Sequence, residues 1–412
     1  MEKEITETLE IQDFLSIKHI KWEFSRFNII TGDMGAGKSL CIKLIEFFED
    51  IMAKFFVMSY NDFTANLNVK TFFNLLKDEF LNTFFLSSDD PDKLPLFNIH
   101  YVYKYKEEIF DMTINGKNEY DIEFESIYLE KLLTDWNDKL QKKLLSGNIT
   151  PDGFEEFKRF LNSDLLNKFD NHFPIVTIFI PASRAALAVS SNYSDKYLRS
   201  YSDLVKFLPQ FKARNHEIIN TILKAKIKYD DDLYLESDDG RKVPITKASS
   251  GQQEIIYVLM LLDRLGYFYY TYGKSQSLFI EEPEAHLFPL EQKQTIEFII
   301  HTFNRLKGNG SPTRIFITTH SPYVLNSVNN MLKKGTLLEK YKDKADYINK
   351  IINIPSLSIN EVSACFINAK GTWELMIDDK NRYFYADKIE DISIEINEIT
   401  TKLQELNNEL MS

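Results

Sequence analysis

The sequence predicts an α/β fold in which a phosphate-binding loop joins a strand to a helix. Three observations predict it. The apolar run Phe27-Asn28-Ile29-Ile30-Thr31 leads directly into Gly32-Asp33-Met34-Gly35-Ala36-Gly37-Lys38-Ser39, a full match to GxxxxGK followed by Ser or Thr. Leu40, Ile42, Leu44, Ile45, Phe47 and Phe48 then recur at helical spacing, so a helix follows the loop. Two later apolar runs, Ser277-Leu278-Phe279-Ile280 and Arg314-Ile315-Phe316-Ile317-Thr318, end in acids and in a histidine, where α/β sheets carry their ligand groups.

In such a loop glycines let successive backbone N–H groups converge on phosphate oxygens, Lys38 supplies a point charge and the Ser39 hydroxyl completes a magnesium shell. Residues Gly32, Asp33, Met34, Gly35, Ala36, Gly37, Lys38, Ser39 and Leu40 are therefore the candidate nucleotide contacts. The acids at the end of the later strand are Glu281 and Glu282, in Glu281-Glu282-Pro283-Glu284. The first is placed to orient magnesium, as Ser39 is, and the second to polarise an attacking water as general base. His320, after Thr318-Thr319, is the candidate contact to the terminal phosphate or the water.

The remaining elements follow in chain order. Residues 1 to 57 read as two strands, the loop strand and its helix. Residues 58 to 170 carry no phosphate chemistry: helical stretches from Val69 to Phe85, strands from Asn98 to Phe124 with a turn at Asn115-Gly116, then helices through Leu166 read as an inserted lobe. Residues 171 to 350 return to the core with the strand Ile175 to Ile180, which ends at Pro181-Ala182-Ser183-Arg184. Arg184 has two readings, a contact to phosphate charge or an anchor for a loop carboxylate. Short strands from Lys226 to Ile245, separated by Asp238-Asp239-Gly240, read as a hairpin leading into Ala248-Ser249-Ser250-Gly251-Gln252-Gln253-Glu254. An apolar helical run continues to Leu265, so Ser249, Ser250, Gly251 and Gln252 sit at a helix N-terminus, a second surface that favours an anion. Residues 351 to 412 end in Ile389, Ile392, Ile396, Ile399, Leu403, Leu406 and Leu410, spaced alternately by three and four. That seam predicts an amphipathic helix, docked on its own domain or in a coiled coil.

In this order the motifs resemble the ABC-type ATPase family, with Ser249-Ser250-Gly251-Gln252-Gln253 standing for its signature loop and His320 for its switch histidine. Leu9 to Ile17, Ile180-Pro181-Ala182-Ser183-Arg184 and Glu281-Glu282-Pro283-Glu284-Ala285-His286-Leu287 are similar to the soluble RecF, SMC and OLD-type branch. Met34 stands where that branch usually has asparagine, and Glu281 where it has aspartate. The resemblance implies an ABC-type head that binds and hydrolyses ATP with Mg2+, in a homodimer or larger homo-oligomer whose sites are completed in trans by Ser249, Ser250, Gly251 and Gln252. Glu284 and His286 then fall in the D-loop region, at the dimer interface. No glutamine can be assigned to the Q-loop.

Composition bounds these expectations. The chain has 412 residues, 44% apolar and 14% aromatic, ample for a large core. Two cysteines, Cys41 and Cys365, make no disulfide framework, and no charged-then-apolar leader or long uncharged span is present, so a cytoplasmic protein without a membrane segment is expected. None of the seven histidines lies in a zinc spacing. A net charge of −12 repels nucleic acid as a whole, and DNA would need a local basic face. Lys333, Lys334, Lys340, Lys342 and Lys344 are the best cluster, with a solvated surface helix as the simpler reading.

The OLD-type relatives carry a nuclease domain that needs a glutamate and an Asp-x-Asp pair. Asp378-Asp379 reads as a hairpin turn, so no nuclease is expected in this chain. Overall size and the region around Pro355, Val362-Ser363-Ala364 and Asp378 resemble stand-alone ATPase subunits of antiphage systems such as PARIS and Septu. The resemblance implies a sensor or scaffold that holds or releases a separate effector protein. Two alternatives stay open: a DNA-repair or chromosome-maintenance ATPase that clamps DNA, and a nucleotide-gated scaffold with negligible turnover.

Overall fold

A computed structural model describes residues 5–61, 69–85, 96–118, 121–145, 167–169, 176–184, 196–205, 216–229, 233–272, 275–378 and 383–384. β1 (Ile5–Phe14) and β2 (Ile17–Glu23) form an antiparallel hairpin. β3 (Phe27–Gly32) runs into the phosphate-loop pattern, and α1 (Lys38–Asn61) leaves it. After α2 (Val69–Phe84), β4 (Phe97–Tyr105), β5 (Glu108–Asn118) and β6 (Asp121–Glu125) complete an antiparallel sheet of order β2-β1-β4-β5-β6.

This corrects one expectation for residues 58 to 170. The strands there do not make a sheet of their own; β4 pairs with β1 from Ile5↔Tyr105 to Gln12↔Asn98. Strict alternation along β4, with Phe97, Ile99, Tyr101, Tyr103 and Tyr105 buried, makes the strand legible, but nothing local names a partner so far back in the chain. The Asn115-Gly116 turn is also corrected. Both residues lie inside β5, opposite Asn98 and Phe97, and the register against β6 shifts between Gly116 and Asn118. The glycine therefore serves a bulge, and β4 and β5 are joined at Lys106, which has φ 53.

α3 (Ile127–Leu145) follows, and β7 (Val176–Ile180) starts the return to a six-stranded sheet. Its order is β14-β13-β3-β12-β11-β7, with β11 (Gln276–Glu281), β12 (Arg314–Thr318), β13 (Val362–Ile367) and a short antiparallel edge, β14 (Trp373–Leu375). β7, β11, β12, β3 and β13 are mutually parallel. Every residue of β11, β12 and β13 is buried, as expected for strands covered on both faces.

Period-two alternation divides those strands between two cores. Ile30, Phe179, Phe279 and Phe316 pack toward α1 and the antiparallel sheet. Ile29, Ile178, Ile280 and Ile317 pack toward α6 (Ser250–Tyr272), α7 (Pro289–Gly308) and α8 (Pro322–Lys340). Between β7 and α6 lie α4 (Lys196–Val205), α5 (His216–Leu223) and the meander of β8 (Lys226–Tyr229), β9 (Leu233–Glu236) and β10 (Lys242–Pro244). The β9–β10 turn falls at Asp238 to Gly240 as the sequence suggests, with Ser237 N–H donating to Arg241 O.

α1 lies between the two sheets. Cys41, Ile42, Leu44, Ile45, Phe47, Phe48 and Ile51 are all inaccessible, and Phe48 stacks on Tyr101 of β4 at 4.9 Å between ring centres. The Cys41 thiol is pushed up to about 12 by burial, which suits packing rather than reaction. α9 (Ala345–Ile351) rests on α8, and β15 (Ile377–Asp378) pairs with β16 (Tyr383–Phe384). The seam Ile389 to Leu410 lies outside the described residues. Among the described residues, no helix is long and apolar enough to cross a membrane.

The basic cluster does not form as a set. Lys334 is buried, its ammonium donating to the Ile352 carbonyl at 2.9 Å and the Ile354 carbonyl at 2.7 Å. Helical spacing cannot distinguish a lysine that satisfies carbonyls from one that faces solvent.

The layers are cross-linked by ions. Buried Arg314, at the start of β12, pairs with Glu7 of β1 and with Glu49 of α1, the latter at 2.9 Å, and Glu7 also accepts from the Tyr101 hydroxyl. Burial pushes Glu49 well above the ordinary carboxylate range and lowers Arg314 to about 9, so the guanidinium remains the cation at neutral pH. Removing it strands buried acids. Arg314→Met is expected to cost about 3–5 kcal/mol in urea unfolding; a loss below about 1 kcal/mol would mean the ion cluster holds nothing together.

Candidate functional site

The loop between β3 and α1 is shaped by glycine and pinned by a neighbouring turn. Gly32 has φ 145 and Gly37 φ 105, values L side chains rarely adopt. A Cβ on Gly32 would meet the Ile367 backbone, and one on Gly37 would come within 2.8 Å of Ile17. Asp33 N–H donates to Ile367 O at 3.0 Å, and its carboxylate accepts from Ala369 N–H at 2.6 Å. Lys38 sends its ammonium back to the Gly32 and Asp33 carbonyls at 3.0 and 2.6 Å, and burial lowers its pKa. Met34 is 92% exposed at the loop tip; Ser39 and Leu40 are half-buried in the first turn of α1.

Parallel pairing brings the other candidates to the same sheet edge. Ile30 pairs with Thr318, and Thr318 with Glu281, so β3, β12 and β11 end in step and release their loops together. Glu281 is buried; one oxygen accepts from Ala182 N–H at 2.8 Å, while Oε1 is buried without a hydrogen-bond partner. Glu282 has φ 43, and its N–H donates to Thr318 O at 3.0 Å. Its carboxylate, 38% exposed, lies 3.6 Å from His320 Nε2. Burial, then Lys38, lowers the histidine, with Glu282 opposing, so a neutral imidazole is favoured at pH 7.

Glu284 holds the histidine loop rather than facing the opening. It is buried, and Oε1 accepts from Thr319 Oγ1 at 2.6 Å and from His320 N–H at 2.9 Å. Burial raises its pKa. Gln292 performs a second tie, donating to Leu287 O at 2.8 Å and accepting from the Ser321 hydroxyl at 2.5 Å. His286 is exposed, with φ 59.

Arg184 takes the anchoring role of its two readings. It is 1% exposed and donates to the carbonyls of Glu254, Pro181, Glu281 and Glu282. The carboxylate it meets, at 3.1 Å, belongs to Glu254 of α6 and not to a loop.

Ser249 to Gln252 build the start of α6 as a capping box. Ser249 Oγ accepts from Gln252 N–H at 3.3 Å and donates to Gln252 Oε1 at 3.0 Å, which also accepts from Ser249 N–H at 3.2 Å. Gln252 Nε2 reaches Leu223 O. Ser250 is exposed at the first helical position, and a Cβ on Gly251 would come within 2.7 Å of the His286 carbonyl. This set therefore packs against the loop after β11, with hydroxyls at its outer end.

The sequence reading missed Glu254, Thr319, Gln292 and the Asn368 to Gly371 turn. Glu254 and Thr319 each lie beside a residue already singled out, and Asn368-Ala369-Lys370-Gly371 follows an apolar run with turn chemistry. Pairing between distant segments carries no local signal.

The residues fit the groups implied for them. Ser39 and Glu281 offer hard oxygen donors, one of them an unpartnered buried carboxylate oxygen, suited to Mg2+. The glycine cradle and Lys38 suit polyphosphate.

Residues 177–325 match the family model described as AAA ATPase domain. No curated protein matches the chain in sequence. The fold is similar to solved structures at low scores. The SMC head domain from Thermotoga maritima is 11% identical with a TM-score of 0.36, covering 78% of this chain and 91% of its own. The Smc head domain with an extended coiled coil from Pyrococcus furiosus, bound to the C-terminal domain of ScpA, is 10% identical at 0.39, covering 95% and 99%. The recombination mediator RecF bound to ATP is 10% identical at 0.35, covering 90% and 99%.

Capping accounts for a measurable part of this site's stability. Ser249→Ala is expected to lose about 1 kcal/mol in thermal or urea unfolding, while Ser250→Ala, which caps nothing, stays within about 0.5 kcal/mol. Equal losses would count against the capping geometry.

Proposed function

We propose that the protein is an ABC-type ATPase that binds ATP with Mg2+ and hydrolyses it. One observation carries the reading: β3, β12 and β11 end in register, so the phosphate loop, Glu282 and His320 share one sheet edge, with Glu282 and His320 3.6 Å apart. Ser39 and Glu281 would hold the metal, which when bound neutralises charge on the phosphates. Lys38 and the loop amides would hold the phosphate oxygens. Glu282 would accept the proton of the attacking water as the bond from the terminal phosphorus to the ADP oxygen breaks, and neutral His320 would orient that water or donate to the phosphate.

Completion of the site in trans by Ser249, Ser250, Gly251 and Gln252, in a head-to-tail dimer, is part of the same reading. The exposed Ser249 and Ser250 at the start of α6 support it, as do Met34 on the phosphate loop, Phe288 at 79% exposure just before α7 and Tyr323 at 51% in the first turn of α8. The cellular role proposed is that of a sensor or scaffold subunit of an antiphage complex, whose nucleotide state holds or releases an effector protein. A protein partner is favoured over a DNA clamp by the net charge of −12 and by the inward turn of Lys334.

Steady-state hydrolysis and nucleotide binding test the enzyme. Lys38→Ala is expected to weaken ATP binding at least about tenfold, and Glu282→Gln to keep binding while kcat falls about a hundredfold or more. Undiminished turnover in Glu282→Gln would remove it as the base. Native mass measurement with ATP and Mg2+ tests assembly: a dimer in Glu282→Gln and a monomer in Lys38→Ala are expected.

A further inference from the structure

We infer that Arg184 and Glu254 form a positioning pair that couples the start of α6 to the backbone of Glu282. The inference rests on the ATPase reading and adds to it a route by which engagement of Ser249 and Ser250 is felt at the candidate base.

Arg184 meets both parts of one α6 residue: Nε lies 3.1 Å from the Glu254 carbonyl and 3.1 Å from its carboxylate. Glu254 is only three positions beyond Gly251 and about one helical turn on from the exposed Ser250. The opposite side of the guanidinium holds the end of β11, donating to Glu281 O and Glu282 O at 2.8 Å each. Both side chains are almost wholly inaccessible, at 1% and 3%, so water does not compete for these bonds.

The residue held in this way is a strained one. Glu282 has φ 43 without being glycine, a conformation that persists only where the surroundings over-determine it. Its N–H is held by Thr318 O, and its carbonyl accepts from Arg184 at 2.8 Å and from Ala285 N–H at 3.0 Å; together they fix the direction in which its carboxylate leaves the backbone. A displacement of the α6 start moves Glu254, and through Arg184 it releases or tightens the one of those restraints that a side chain supplies to the carbonyl. Arg184, buried and committed to four backbone carbonyls, acts through Glu282.

The test compares wild type, Glu282→Gln, Arg184→Lys, Glu254→Gln and the double variant by kcat, KM for ATP, ATP binding and melting temperature. Glu254→Gln preserves volume and a hydrogen-bonding head, so it reports on the ion pair if Arg184→Lys fails to fold. Both single changes are expected to lower kcat by about ten- to a hundredfold with ATP affinity within about twofold of wild type. The double variant should lose no more than the worse single change. Glu254→Gln and a folded Arg184→Lys both with wild-type kcat, beside an inactive Glu282→Gln, overturn the coupling and leave the ATPase reading standing. Loss of ATP binding in step with loss of folding would make the pair merely structural. A folded wild type that binds no ATP overturns both.

Discussion

The parallel register of β3, β12 and β11 is the constraint from which the rest follows. Parallel strands side by side release their loops at one edge, so pairing of Ile30 with Thr318 and of Thr318 with Glu281 turns three distant segments into one site. Slipping any of these strands by one residue would turn its side chains to the opposite face and exchange the two cores that Phe279 and Ile280 separate. Packing on both faces thus fixes the geometry at the edge. No interaction among the candidate residues has to hold the site together.

That arrangement explains why the loops around the opening are tied so heavily to backbone. Glu284, Gln292, Arg184 and the Asp33 carboxylate all spend themselves on amides, carbonyls or hydroxyls of neighbouring loops. A strand end leaves carbonyls and amides without ladder partners, and buried ones need replacements. The buried polar residues supply them and leave Glu282 and His320 partly exposed. Division of labour between buried restraints and accessible chemistry is therefore a consequence of ending a fully buried sheet at a functional edge.

Legibility in the sequence follows the range of the interaction. The phosphate loop, β11 with its acids, β12 with His320 and the start of α6 were readable because each signal is complete within about ten residues: an apolar run, a turn chemistry and a polar end. β4 to β6 were readable as strands but not as partners of β1, since alternation specifies a face and never a neighbour. Asn115-Gly116 misled because a bulge and a hairpin turn ask the same freedom of glycine. Lys334 misled because a long side chain on a polar helix face can return to carbonyls. Arg184 was readable as an anchor but not as one seated on Glu254, because that partner lies 70 positions away.

The matched family segment and the phosphate loop support the functional reading independently. Residues 177–325 include Glu281, Glu282, Glu284, Ser249 to Gln252 and His320, and stop short of Gly32 to Ser39 at one end and of the Asn368 to Gly371 turn at the other. The ladder between β3 and β12 and the ladder between β3 and β13 are what bring those outer segments to the matched one. A chance GxxxxGKS would have no reason to lie on the central strand between them, or to have its Asp33 seated on the turn that follows β13. Its position in the sheet, more than the motif itself, makes the loop part of the same site as Glu282.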